Sequence, residues 1–80
     1  MNIQLIEGEF KASDALDLIT QMIHVKIKFH ENKINNSETE EDIKSREAKI
    51  KRLQKELYEL KNSIGSSSKG VKINAVLNIE

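Results

Sequence analysis

SETEEDIKSREAKIKRLQKELYELKNSI, residues Ser37 to Ile64, reads as one long solvated helix, and the rest of the chain can be placed around it. Ser37 followed three residues later by Glu40 has the form of a capping box, in which the Ser hydroxyl accepts from the Glu40 amide and the Glu carboxylate accepts from the Ser37 amide. The helix is therefore expected to begin at Glu38 and run to Ile64. Glu38, Glu40, Glu41 and Asp42 gather at its start, where exposed amides and the helix dipole favour negative charge, and Lys61 lies near its end. Ile43, Ile50, Leu53, Leu57, Leu60 and Ile64 recur at spacings of seven or of four and three, with Arg46 in the vacant position; this is a narrow, coiled-coil-like seam. Glu40/Lys44, Asp42/Arg46, Glu47/Lys51 and Lys55/Glu59 are opposite charges one turn apart, suited to a surface that needs no partner. Gly65 stands where a left-handed C′ residue is expected, and residues 65–70, GSSSKG, read as a Ser/Gly linker.

Moving toward the N-terminus, Ser13 is the expected N-cap of a first helix over about residues 14–35, with Asp14 and Asp17 in its first turn and Asn35–Asn36 as the turn into Ser37. At about 100° per residue its apolar side chains fall into two stripes. One is Leu16, Thr20, Ile23, Ile27, His30 and Ile34; the other is Ala15, Leu18, Met22, Val25 and Phe29. A short connection makes the two helices antiparallel, so facing residues should have position numbers with a near-constant total. Ile34/Ile43, His30/Arg46, Ile27/Ile50, Ile23/Leu53, Thr20/Leu57 and Leu16/Leu60 total 76 or 77, and this register sets the two polar seam residues, His30 and Arg46, opposite one another.

The second stripe, about 20 Å long at 1.5 Å per residue, needs a different cover. At the N-terminus, residues 2–10 alternate Ile3 and Leu5 with polar neighbours and read as a strand, with Gly8 marking a bulge or the strand's end. Residues 71–79 put Val71, Ile73, Ala75, Leu77 and Ile79 on one face and Lys72, Asn74 and Asn78 on the other, with Val76 the exception. Six or so residues of strand match the stripe in length, so the strands are expected to lie across it. The expected fold is α+β, in the order β-α-α-β: a long antiparallel helical hairpin with the terminal strands forming a small antiparallel sheet, as one domain over residues 1–80. Two strands alone are marginal in water, so dimerisation is expected to complete the fold, either by pairing strands across a two-fold axis or by packing the first helices directly. The interface candidates are Leu18, Met22, Val25, Phe29, Ile73 and Leu77.

Composition narrows the function. At 80 residues a chain buries a small share of its surface on its own. With no cysteine and two histidines, disulfide and zinc staples are not expected. Thirteen basic and thirteen acidic residues cancel, so no whole-molecule field draws the chain to nucleic acid or anionic lipid. MNIQLIEGEF lacks the pattern of a signal peptide and no segment has the apolar length of a membrane span, so a soluble, cytoplasmic protein is expected.

Chemistry-bearing residues find structural readings. His24 and His30, six apart, fall on different sides of the helix, so no metal or cofactor is expected. Lys26, between the two stripes, is expected to carry its ammonium to water or to Glu47 or Glu56. Lys44, Arg46, Lys49, Lys51, Arg52 and Lys55 could contact phosphates, but they scatter around the helix among glutamates with no aromatic residue to stack on a base. The expectation is therefore a non-enzymatic assembly or interaction protein, a homodimer with a possible protein partner, acting through the hairpin or the open sheet edge. A nucleic-acid-associated regulator using the basic middle of the second helix is the alternative.

Overall fold

The computed structural model describes residues 1–64 and 69–80. Four elements follow in the order β1 (Asn2–Phe10), α1 (Ala12–Asn35), α2 (Glu40–Ile64) and β2 (Val71–Asn78), with β1 and β2 paired antiparallel in a two-stranded sheet. The fold is the α+β, β-α-α-β arrangement expected from the sequence. The Gly65 C-cap and most of the Ser/Gly linker lie outside the described residues.

Both helix starts differ from the sequence reading. Lys11, extended at φ −62° and ψ 149°, is the N-cap of α1 and makes no side-chain cap bond; its carbonyl accepts from the Ala15 amide at 2.8 Å. Ser13 thus falls inside the first turn, because the chain passes from strand to helix through a single residue and the geometry of that junction decides where the helix begins. In α2 the cap is Thr39 rather than Ser37, so the helix begins at Glu40 rather than Glu38. Thr39 Oγ1 accepts from the Asp42 amide at 3.3 Å, its carbonyl accepts from the Ile43 amide at 3.2 Å, and the Ser37 hydroxyl accepts from the Thr39 amide at 3.4 Å. Two Ser/Thr residues two positions apart compete for one role, and Thr39 has Asp42 at the third helical position where Ser37 has Glu40. The turn correspondingly widens from two residues to residues 36–39, with Asn36 Nδ2 closing α1 by donating to the Asn32 carbonyl at 3.0 Å.

The sheet also has a feature that strict alternation did not anticipate. Phe10 pairs with Val71, Gly8 with Ile73 and Ile6 with Ala75, then the register shifts so that Gln4 pairs with Val76 and Ile3 with Leu77. Leu5 is the extra residue of a β-bulge, whereas Gly8 stays in the ladder at φ +145°. A strand alternates faces with period two, so the extra residue lets odd-numbered Ile3 share a face with even-numbered Ile6 and Phe10. Gln4 Nε2 donates across the bulge to the Ile6 carbonyl at 3.0 Å and to Asn74 Oδ1 at 2.7 Å. At the open end the chain termini are tied together: the Ile79 amide donates to the Met1 carbonyl at 2.7 Å and the Met1 ammonium to the Ile79 carbonyl at 2.8 Å.

Packing is thin. The apolar side chains buried among the described residues are Ala15, Leu53, Leu57 and Ile64, so the core is a line along the hairpin seam plus the point where the sheet meets α1. Ala15 is fully enclosed and Leu18 is half-buried, but beyond them the second stripe emerges: Met22 is exposed, Val25 is 71% exposed and Phe29 is 53% exposed. The strands therefore do not lie along the stripe. With Lys11 alone between β1 and α1 the chain cannot fold back over the helix, and the sheet covers only its first turns. The molecule is a slab, 46 × 33 × 13 Å across its Cα positions.

Candidate functional site

The hairpin seam brings its two polar residues together. Arg46 Nη1 donates to His30 Nδ1 at 3.0 Å, and Arg46 Nε donates to Asp42 Oδ2 at 3.1 Å in an ion pair one helical turn long. The other helix-surface pairs expected one turn apart, Glu40/Lys44, Glu47/Lys51 and Lys55/Glu59, do not close, since on a solvated surface the attraction scarcely exceeds the entropy of holding two long side chains together. Lys26 likewise makes no ion pair with Glu47 or Glu56 and keeps its ammonium in water.

His30 is buried, 8% exposed, beside an obligate donor. Its imidazole is therefore neutral, with Nδ1 accepting and the proton on Nε2. Its pKa lies below the ordinary value of 6.5, first because burial desolvates the cation and then because Arg46, Lys49 and Lys26 repel it, against a weaker pull from Asp42. Asp42 is held below its ordinary 3.8 by the Ser37 hydroxyl and then by Arg46. Phe29 leans on this cluster from outside, edge-on to the His30 ring at 5.7 Å, with Lys33 Nζ 5.7 Å and the Arg46 guanidinium 5.9 Å from its ring centre. Arg46 thus joins three neighbours: a histidine, an aspartate and an aromatic face.

The expected interface residues share one feature, incomplete cover. Leu18 and Ile73 are half-buried; Met22, Val25, Phe29 and Leu77 are exposed. Of the seam residues, Leu53 and Leu57 are buried, while Ile23, Ile27, Ile50 and Leu60 are half-buried. On the sheet, Ile6, Phe10, Val71, Ile73 and Ala75 are half-buried at the end near α1, whereas Ile3 and Leu77, paired across the strands on the same face, are open at the far end. His24 and Tyr58 are exposed and stand apart from the His30 cluster.

Two shallow concavities lie among the described residues. One, about 320 Å³, is lined by Glu7, Gly8, Glu9, Lys72, Ile73 and Asn74. The other, about 270 Å³, lies on the hairpin between Lys26 and His30 of α1 and Lys49, Arg52, Leu53 and Glu56 of α2. Taken along α2 alone, those basic residues are not joined to Lys26 or His30; the antiparallel register is the signal that joins them. Among the described residues no group of three or more His, Cys, Asp or Glu could hold a metal ion, and no helix is long and apolar enough to cross a membrane. No family model, curated protein or solved structure matches the chain.

Proposed function

We propose that this chain is a non-enzymatic assembly protein that works as a homodimer through the apolar face left open along α1 and the free end of the sheet. The observation that carries the reading is the mismatch between mass and surface. A compact monomer of 9.2 kDa is expected to expose about 4,900 Å², and this chain exposes 6472 Å². The excess, about 1,500 Å², is more than the roughly 800 Å² each partner contributes to a standard interface. A thickness of 13 Å points the same way, since a stable domain sets one layer of secondary structure on another and much of this slab has no second layer. A second copy can supply it. Equal numbers of acidic and basic residues mean that two copies do not repel as net charges.

Face-to-face packing of the first helices, with Met22, Val25 and Phe29 at its centre, fits the exposure pattern better than strand pairing at the sheet edge, because those side chains are the part of the stripe the sheet leaves open. Coiled-coil packing along the seam and a soluble, cytoplasmic setting belong to the same reading, supported by a surface rich in both signs of charge. The non-enzymatic part rests on the pairing within the seam, where Arg46 engages both His30 and Asp42. Light scattering coupled to size exclusion at micromolar concentration tests the proposal. A mass of two chains is expected, falling to one for Val25→Glu and staying at two for Lys28→Glu. A compact, thermally stable wild-type monomer would overturn it.

A further inference from the structure

The concavity on the hairpin differs from the apolar face in every respect that matters to a ligand. Two helices build it: Lys26 and His30 come from α1, and Lys49, Arg52, Leu53 and Glu56 from α2. Three cations and one carboxylate leave a local excess of positive charge on a chain whose overall charge is zero. Among the described residues no ion pair offsets it, since none forms at Lys26, Lys49 or Arg52. A flank of a solvated helix usually mixes its charges so that neighbours offset one another; here the register gathers three cations of one sign around a single depression.

The lining of the concavity carries a second observation. Arg46 occupies His30 Nδ1, which leaves Nε2–H as a neutral donor. Among the described residues no side-chain nitrogen or oxygen sealed from solvent lacks a partner, so Nε2, for which the described residues offer no acceptor, reaches solvent, and His30 lines this concavity. Leu53, buried beside it, supplies apolar backing that lowers the local dielectric. A fixed N–H, the planar fork of Arg52 and two mobile ammonium groups can together engage a tetrahedral oxyanion, with the guanidinium giving paired bonds and the lysines acting as point charges.

We infer that this concavity, between Lys26 and His30 on one helix and Lys49 and Arg52 on the other, binds the phosphate group of a phosphate monoester. Its volume, about 270 Å³, is just below the roughly 300–1,000 Å³ of drug-sized sites, so it takes a phosphate and a small substituent. The dianion matches the three cations, and Glu56 can accept from a hydroxyl of the substituent. The cations that repel a proton from His30 would be neutralised by the bound group, so phosphate and proton should bind cooperatively. Asp42, paired with Arg46, is the anion already acting on that imidazole by direct charge attraction.

The test is an NMR titration of the full chain with glycerol 3-phosphate, against glycerol plus chloride at matched ionic strength. Saturable shifts at the His30 ring and at the Lys49 and Arg52 amides are expected, with a dissociation constant of about 1 mM. Lys49→Gln and Arg52→Gln should each weaken binding about tenfold, while Lys61→Gln leaves it unchanged. The His30 titration midpoint should rise with bound phosphate, and rise less in either variant. A flotation arm with phosphatidylcholine vesicles, with and without phosphatidic acid, separates the two sources of the group: flotation that needs phosphatidic acid assigns a lipid headgroup, and soluble binding alone assigns a free metabolite. Linear shifts, shifts reproduced by chloride, or equal movement at Lys44, Lys51 and Lys55 would overturn the site. So would an oligonucleotide that binds more than about a hundredfold tighter than the monoester, since the phosphates recognised would then be those of a polymer backbone.

Discussion

Phe29→Ala separates the dimer from a tolerated surface aromatic. Phe29 is 53% exposed in the single chain, and a phenylalanine side chain offers roughly 200 Å² to burial, so about 100 Å² remains for a partner to cover. At about 25 cal/mol per Å² that area stabilises association by about 2.5 kcal/mol per chain. Two-fold symmetry uses it twice, giving about 5 kcal/mol, of which the methyl group of alanine retains a part. A loss of about 4 kcal/mol raises the dimer dissociation constant about a thousandfold. Within one chain the same change removes only exposed contacts with Lys33, Arg46 and the edge of His30, together about 1 kcal/mol. Association should therefore collapse while the helical content at a concentration where both proteins are monomeric barely changes. Sedimentation equilibrium over a dilution series gives the first quantity and far-ultraviolet circular dichroism the second. A shift in the dissociation constant below about tenfold, with the fold intact, would show that Phe29 lies outside the interface and refute the packing of the first helices.

Three further expectations follow from single contacts. Because His30 has a folded pKa below 6.5, the unfolded chain binds the extra proton; its contribution to stability is complete above about pH 6.5 and is lost as pH falls through the lowered folded value. Melting between pH 7.5 and 5 should show this decline in the wild type and a flatter profile in His30→Gln, leaving for more acidic solution the separate loss from Asp42, whose contribution is present above 3.8 and disappears as pH falls through its lowered value. Gly8→Ala should cost about 1–3 kcal/mol by denaturant melting, through backbone strain at φ +145° rather than crowding, since the nearest atom to an added Cβ is a Phe10 ring carbon at 3.9 Å. Ile27→Cys with Ile50→Cys should form an intramolecular disulfide under mild oxidation; crosslinks only between chains, or a better yield with a partner shifted by four residues, would contradict the hairpin register.

The pairing of His30 with Arg46 shows how far a one-dimensional pattern reaches. Each is an interruption in an apolar row, and only an antiparallel pairing puts the two interruptions opposite one another. Seven-residue and three-and-four spacings survive small errors at helix ends, which is why moving the start of α2 from Glu38 to Glu40 and widening the turn to residues 36–39 leaves these two residues in contact. Caps lack that redundancy. Ser13, Ser37 and Thr39 all carry a suitable hydroxyl, and the choice among them depends on the path of the incoming chain. The bulge at Leu5 escaped for a related reason: Ile3 and Leu5 alternate correctly taken alone, and only pairing with Val71–Asn78 reveals that Ile6 and Phe10 must share the face with Ile3.

Properties summed over many residues were legible in the chain alone: two amphipathic helices, two terminal strands, their order, and a second apolar stripe with no partner in the hairpin. Periodicity accumulates with length, so no single side chain could overturn them. Quantities that depend on the direction of a short connection came instead from the packing of the elements. Lys11, one residue long as a linker, aims the sheet off the end of α1, so Ala15 and Leu18 are covered while Val25 and Phe29 stay in solvent. The concavity of Lys26, His30, Lys49 and Arg52 belongs to the same class, because which cations meet across the hairpin depends on where two helices touch, and Lys26 and Lys49 are 23 positions apart in the chain.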